Sequence, residues 1–443
     1  MRVLLAAAPF YSQPERPEHL NNTANLGLYL LAAIAERAGH AITVKDPAQN
    51  PSRMDPPTFR KTFSDADVLA LSSTSSTWAE TRRLLDRLSE LPRKIPAIVG
   101  GTHATLFDEH VLRTAAVDYV VRGEGEQAFP ELLEAIEAER DPAGMAGVSC
   151  LRGGKLVRGL DRPLLSEAEL AANPLPRYDL IPSGYYQVVP VETSRGCRHQ
   201  CSFCSITHPR SWREIGPERL QQTLAAVRPL LPGFTGRAVH LIDDCFLARG
   251  RDLAGLAQGL EGFDSRLLIS TRVSDLLAEG ALDFYGRLPI AVCEVGVECG
   301  YDEGIKLVGK GITIQQVKKL ALELRERGLI ERVMFSYIVG FPWEGLKQCL
   351  TTLEFAFTLA RRYGGMIQLA WFVMYPGSEI YRHPERFGVE FGPEVYDRPA
   401  FWRDPELFAQ FHPLLSPAEA EKVAYTARFL KEIHHTVKVQ FWM

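Results

Sequence analysis

The feature that most limits how this chain can fold is a repeated unit. A short, almost continuously apolar run stops at small or charged residues and gives way to a segment of helical period. Such runs occupy 2–7, 41–46, 67–72, 97–99 and 119–121, and later 188–191, 239–242, 267–270, 291–297, 333–339 and 367–374. A strand open on one face alternates apolar and polar residues, whereas a run apolar throughout is buried on both. Separated by helices such as 218–227 and 314–327, these strands imply parallel sheets covered by helices on both sides. With 443 residues, the chain exceeds one ordinary domain. It is expected to be α/β. A Rossmann-like doubly wound parallel sheet comes first, then a partial (β/α)6 TIM-like barrel, then a small helical C-terminal region in which Ser416 caps a helix from Pro417 to about 434. Gly153-Gly154, Pro163, Pro174, Pro176 and Pro182 mark the stretch between as a linker with a small hairpin.

Composition narrows the partners. A formal net charge of −4 without a basic cluster argues against nucleic acid. No run of eighteen apolar residues occurs, and Met1-Arg2 leads into a strand, so no membrane association and a cytoplasmic location are expected. In a reducing compartment, Cys150, Cys245, Cys293, Cys299 and Cys349 read as buried free thiols.

The remaining cysteines are different. Cys197, Cys201 and Cys204 stand at C-x3-C-x2-C on the loop leaving the run 188–191. Three thiolates so spaced suit an iron–sulfur cluster. A four-iron cube held by three ligands keeps one iron open, as a catalytic zinc keeps a free position. A zinc site completed by His199 or His208 is the rival reading.

The stretch from Arg195-Gly196-Cys197 to Phe203-Cys204, with an aromatic residue before the last cysteine, resembles the signature of the radical S-adenosylmethionine (radical SAM) superfamily. The resemblance implies a [4Fe–4S] cluster on the three cysteines. It also implies SAM on the open iron, cleaved there to methionine and a 5′-deoxyadenosyl radical. Asp243-Asp244, Gly296-Val297-Glu298, Gly340-Phe341-Pro342-Trp343-Glu344 and Tyr375-Pro376-Gly377 match strand ends of the same family. SAM contacts are thereby implied for Phe203, Arg272, Glu298 and Ser336. On chemistry alone, a Glu ending a buried strand needs hydrogen-bond donors. Arg272 either meets the SAM carboxylate or pairs with a neighbouring acid.

The carboxyl edge of the first sheet, where such folds bind ligands, carries Ser72-Ser73-Thr74, Gly100-Gly101-Thr102-His103 and Gly123-Glu124-Gly125-Glu126. Small residues there let backbone amides approach a nucleotide or another large polar cofactor. With Leu26-Gly27 at the first helix, these turns resemble the cobalamin-binding domain of the B12-dependent radical SAM branch. The resemblance places cobalamin against Leu26, Gly27, Ser72, Ser73, Thr74, Gly100, Gly101, His103, Gly123, Glu124, Gly125 and Glu126. The cobalt-ligating Asp-x-His-x-x-Gly motif is broken, since Asp108-Glu109-His110 is followed by Arg113 where Gly belongs. No protein histidine is therefore expected on cobalt. Trp78 either covers its lower face or belongs to the core of the following helix. The implied boundaries are 1–140 for the cobalamin-binding domain, 141–186 for the linker, 187–378 for the radical SAM barrel and 379–443 for a helical cap.

The activity so implied is that of a cobalamin-dependent radical SAM enzyme, most often a C-methyltransferase. It would act on an unactivated carbon of a small molecule or peptide and draw electrons from an external flavodoxin-like donor. Oxidative cyclisation or ring rearrangement is the alternative within the branch. A cobalamin-binding sensor with a structural cluster is the alternative outside it. An RNA methylthiotransferase would need three more cysteines in a first domain that has none before Cys150.

Overall fold

The computed structural model describes residues 1–9, 23–49, 51–182, 184–206, 210–389, 391–403, 407–408 and 411–442. The chain forms two compact units. One comprises Met1–Pro190, Gln222–Arg237 and Gly392–Phe401, the other Val191–Gln221, Ala238–Phe391 and Trp402–Met443.

The first unit is built on strands β1 (Arg2–Ala7), β2 (Ala41–Lys45), β3 (Val68–Ser72), β4 (Ala97–Gly100), β5 (Tyr119–Val121), β6 (Val148–Arg152) and β7 (Lys155–Arg158). They lie in the order β2-β1-β3-β4-β5-β6-β7. The first five are parallel, and β6 and β7 add antiparallel. Strand order reverses between β1 and β3, the switch point where doubly wound sheets hold ligands. There Ala7 pairs with Ser72, and Ser72 with Gly100. Helix Leu26–Arg37 starts beside this point, its first turn closed by the Asn25 side chain accepting from the Leu28 amide. The hairpin foreseen around Gly153-Gly154 forms and extends the sheet edge as β6 and β7. Thr77 does not cap helix Trp78–Asp86 with its side chain; its hydroxyl is taken by Thr74 instead.

The second sheet runs β16-β15-β14-β13-β12-β11-β8. Its strands are β8 (Val188–Val191), β11 (Ala238–Leu241), β12 (Arg266–Arg272), β13 (Ile290–Glu298), β14 (Val333–Val339), β15 (Met366–Trp371) and β16 (Lys438–Trp442), while β9 (Ser194–Arg195) and β10 (Arg213–Glu214) form a separate ribbon. Strands β11 to β16 pair in parallel. On β13 the fully buried Cys293, Val295 and Val297 alternate with half-buried Glu294 and Gly296. Register places Ser270 beside Glu294, Gly296 beside Ser336 and Ser336 beside Gln368, so one face of the sheet is polar. Helix Pro417–Ile433 forms with a Ser416–Glu419 capping box. The chain then adds β16 parallel to β15, a strand not foreseen in a region read as helical.

Candidate functional site

The cysteine loop leaves β8 and is clasped at its base. The ribbon pairs Ser194 with Glu214 and Arg195 with Arg213. Buried Asp243, at the end of β11, accepts from Thr193 Oγ1 at 2.7 Å and from the Ser194 hydroxyl. Arg251 Nη2 donates to Thr193 Oγ1 at 2.7 Å, and its Nε to Glu214 Oε1 at 3.0 Å. Gly196 is at φ 85°, and a Cβ there would lie 1.9 Å from the Ser211 carbonyl oxygen. Cys197 and Cys201 are buried and Cys204 is half-buried. Burial pushes the Cys197 thiol up and the Cys204 thiol up to about 11. Such thiols stay protonated until a metal displaces the proton.

Around the loop stand several residues expected to meet SAM. Arg272, buried at the end of β12, directs Nη1 to Cys201 Sγ at 3.1 Å and Nη2 to the carbonyl of Lys310. Glu298, buried at the end of β13, pairs through Oε1 with Lys310 Nζ at 2.7 Å. Ser336 on β14 lies 3.5 Å from Gln368 Nε2, which also donates to Glu294 Oε1 at 3.1 Å. Burial and the nearby Glu298 carboxylate push the Glu294 carboxyl up. Phe203 is half-buried, edge-on to Phe341 at 5.8 Å, and Phe341 stacks on Trp343 at 4.8 Å. Glu344 is consumed by its own turn, accepting from the amides of Gly340 (2.8 Å) and Phe341 (3.2 Å) and from the Tyr301 hydroxyl (2.8 Å).

These groups fit a thiolate-bound cluster. A buried guanidinium aimed at sulfur stabilises a thiolate far more than a neutral thiol. Among the described residues, no three His, Cys, Asp or Glu side chains close on a single-ion site. His199 Nε2 lies 3.9 Å from the Asp275 carboxylate, and His208 is outside the described residues. A cube, by contrast, binds each cysteine to a different iron.

In the first unit the expected turns do meet at one sheet edge. Ser72 Oγ accepts from Asn25 Nδ2 at 3.1 Å, next to Leu26 and Gly27. The Ser73 amide donates to the Gly100 carbonyl at 2.9 Å, and the His103 amide to the Ser73 carbonyl at 3.3 Å. Gly101 is at φ 94°, and a Cβ there would lie 2.4 Å from Ser73 O, so this glycine serves the turn itself. At Gly100 the nearest atom would be an ordinary 3.5 Å away, and nothing lies within 4 Å at Gly123. Thr74 is exposed. Glu124 Oε2 accepts from the Leu165 amide at 2.7 Å, and Gly125 and Glu126 open helix Gly125–Glu137.

Trp78 and His103 are wholly buried and stacked at 4.7 Å. His103 Nδ1 lies 3.0 Å from Ser75 Oγ, its Nε2 has no hydrogen-bond partner, and burial pushes its pKa down to about 3. Trp78 Nε1 donates to Asp397 Oδ1 at 2.7 Å. The same carboxylate takes His110 Nε2 at 3.2 Å and Arg82 Nη1 at 3.1 Å. His110 is thus engaged by Asp397. Lys310, Gln368 and Asp397 escaped sequence reasoning, for no local pattern marks a lone charged or amide side chain as buried.

Residues 20–133 match the family model of the B12 binding domain, and residues 191–356 that of the Radical SAM superfamily. The chain belongs to the cobalamin-dependent radical SAM enzymes. The two matched domains are named for cobalamin and for SAM. It is 28% identical to an uncharacterised methyltransferase of Pyrococcus horikoshii, over 86% of this chain and 83% of that one. It is 24% identical to the anaerobic magnesium-protoporphyrin IX monomethyl ester cyclase of Rubrivivax gelatinosus, over 71% of this chain but only 58% of that one. The fold is that of the radical SAM methyltransferase TsrM from Kitasatospora setae, solved with cobalamin and a [4Fe–4S] cluster. The TM-score is 0.72 at 16% identity, covering 99% of this chain and 91% of that one. No described helix is long and apolar enough to cross a membrane.

Proposed function

We propose that this cobalamin-dependent radical SAM enzyme methylates an unactivated carbon of a small molecule or peptide in the cytoplasm, using a flavodoxin-like electron donor. The observation that carries the radical chemistry is Arg272 Nη1 on Cys201 Sγ, 3.1 Å apart within a buried three-cysteine loop. When bound, the cluster and SAM supply a 5′-deoxyadenosyl radical, and cobalamin supplies the methyl group. The protein's part is binding, orientation and exclusion of water. Cys197, Cys201 and Cys204 hold the cluster, and Asp243 and Arg251 keep their loop in shape. Arg272 stabilises thiolate charge. Glu298 receives donors of SAM, Ser336 lies one strand away on the same polar face, and Phe203 offers an apolar ring to its adenosyl part. In the first unit, Ser72, Gly100 and the open Gly123 turn form the edge to which cobalamin binds.

Methylation is favoured by the likeness to a methyltransferase over 83% of its length. Cyclisation draws support from the R. gelatinosus enzyme, of which the chain spans 58%. Incubating the holoenzyme anaerobically with methyl-labelled SAM, a reductant and candidate substrates separates the two. Label on a product carbon, with deoxyadenosine and S-adenosylhomocysteine both formed, is the expected result. Deoxyadenosine with a dehydrogenated, unlabelled product would establish cyclisation instead.

A further inference from the structure

Lys310 has no part in the roles above, and its surroundings give it one. It sits between Gly309 and Gly311, at φ 76° and 67°, in the turn after helix Asp302–Val308. Its side chain is 7% exposed and that of Glu298 6%, with Nζ and Oε1 2.7 Å apart. Buried charges persist only when closely paired. Glu298 reaches this position through two backbone irregularities. The pairing of β13 with β14 slips between Gly296 and Glu298, and Glu298 adopts φ 71°. A bulge at a strand end re-aims a side chain. Non-glycine residues in left-handed space persist where the surroundings hold them, typically at ligand clamps.

Gly296 completes the arrangement. A Cβ there would lie 2.4 Å from Glu298 Oε1 and 2.5 Å from Lys310 Nζ, so the ion pair lies folded over the missing side chain. The same turn supports the cysteine loop. The Ser202 amide donates to the Val308 carbonyl at 2.9 Å, and the Lys310 carbonyl accepts from Arg272, whose other nitrogen is on Cys201. One short turn thereby sets both the sulfur side and the carboxylate side of the site. Glu294, on the same strand, brings a second carboxyl toward Glu298, and Lys310 supplies the opposing charge.

We infer that Lys310 is a positioning residue for SAM: it holds Glu298 through Oε1 in one rotamer and leaves Oε2 to receive the donors of bound SAM. The inference rests on the proposal that Glu298 meets SAM. The test measures SAM affinity of the cluster-loaded enzyme by anaerobic equilibrium dialysis, with iron content and the SAM-induced change in the EPR spectrum of the reduced cluster. Glu298→Gln and Lys310→Met are each expected to weaken SAM about tenfold or more, the scale of removing one buried charged partner. The double variant should be no weaker than the worse single one, because Lys310 acts through Glu298. Lys310→Arg should restore most of the affinity and of the spectral change. Lys310→Gln, smaller in perturbation, is measured alongside in case Lys310→Met loses iron. Wild-type affinity in both neutral variants, or additive losses in the double variant, overturns the inference, additivity meaning that Lys310 touches SAM directly. Wild-type affinity in Glu298→Gln overturns the role of Glu298 itself and leaves that of the cysteine loop standing.

Discussion

At the scale of single residues, the site separates side chains that carry chemistry from those that hold them. Replacing Cys197, Cys201 and Cys204 together by Ala should abolish iron uptake, measured by anaerobic reconstitution, where the parent takes up about four irons as a cubane requires. Arg272 donates to a sulfur that is proposed to be a ligand. Hydrogen bonds and charge beside a cluster set its potential. Arg272→Met removes a positive charge and should make reduction harder, by roughly 60 mV if the loss is tenfold in a one-electron couple; an EPR-monitored redox titration reads this. His103 responds to pH. Its folded pKa of about 3 lies below the ordinary value near 6.5, so the unfolded chain binds more protons between the two. Its contribution to stability is complete above pH 6.5 and fades as pH falls toward 3. Chemical denaturation of His103→Phe should show a shallower loss over that window. Trp78→Ala should cost about 3–5 kcal/mol in the same assay, as deletion of a buried aromatic does.

At the scale of elements, the glycine turns turn out to be unequal. Gly100 and Gly101 look alike in sequence, and a side chain as small as glycine's suits both to a close approach of a cofactor to the backbone. The structure gives Gly101 another duty, because Ser73 occupies the space a side chain would need and φ is 94°. Gly101→Ala should therefore destabilise the sheet edge by about 1–3 kcal/mol, the usual cost of a strained backbone position, and cobalamin occupancy should fall with it. Gly100→Ala should leave thermal stability nearly unchanged. Gly340-Phe341-Pro342-Trp343-Glu344 behaves likewise: Glu344 spends both carboxylate oxygens inside the protein, so it braces the strand end. A carboxylate that accepts two backbone amides fixes a turn much as a helix cap does.

At the scale of the whole molecule, Gly392–Phe401 belongs to the first unit although its neighbours on both sides belong to the second. Asp397 anchors it, gathering Trp78, Arg82 and His110 on one carboxylate. Asp397→Ala would leave the buried Trp78 Nε1 without an acceptor, at a cost of about 1–3 kcal/mol. Hydrogen exchange should speed up in helices Trp78–Asp86 and Asp108–Thr114 and remain unchanged in helix Ile314–Glu326.

Local periodicity and capping are readable from the order of residues alone. The parallel strands, the cysteine loop at a strand end, the hairpin at Gly153-Gly154 and the Ser416 cap were all legible. Each of these depends on residues a few positions apart, where backbone geometry and side-chain type suffice. Packing in three dimensions is what spends Lys310 on Glu298, pins a tryptophan to Asp397 across 319 positions, and adds β16 to a sheet after a helical stretch. Those outcomes turn on which polar groups lose water together. A buried charge takes whatever partner packing brings within reach, and that choice leaves no trace in the local pattern of the chain.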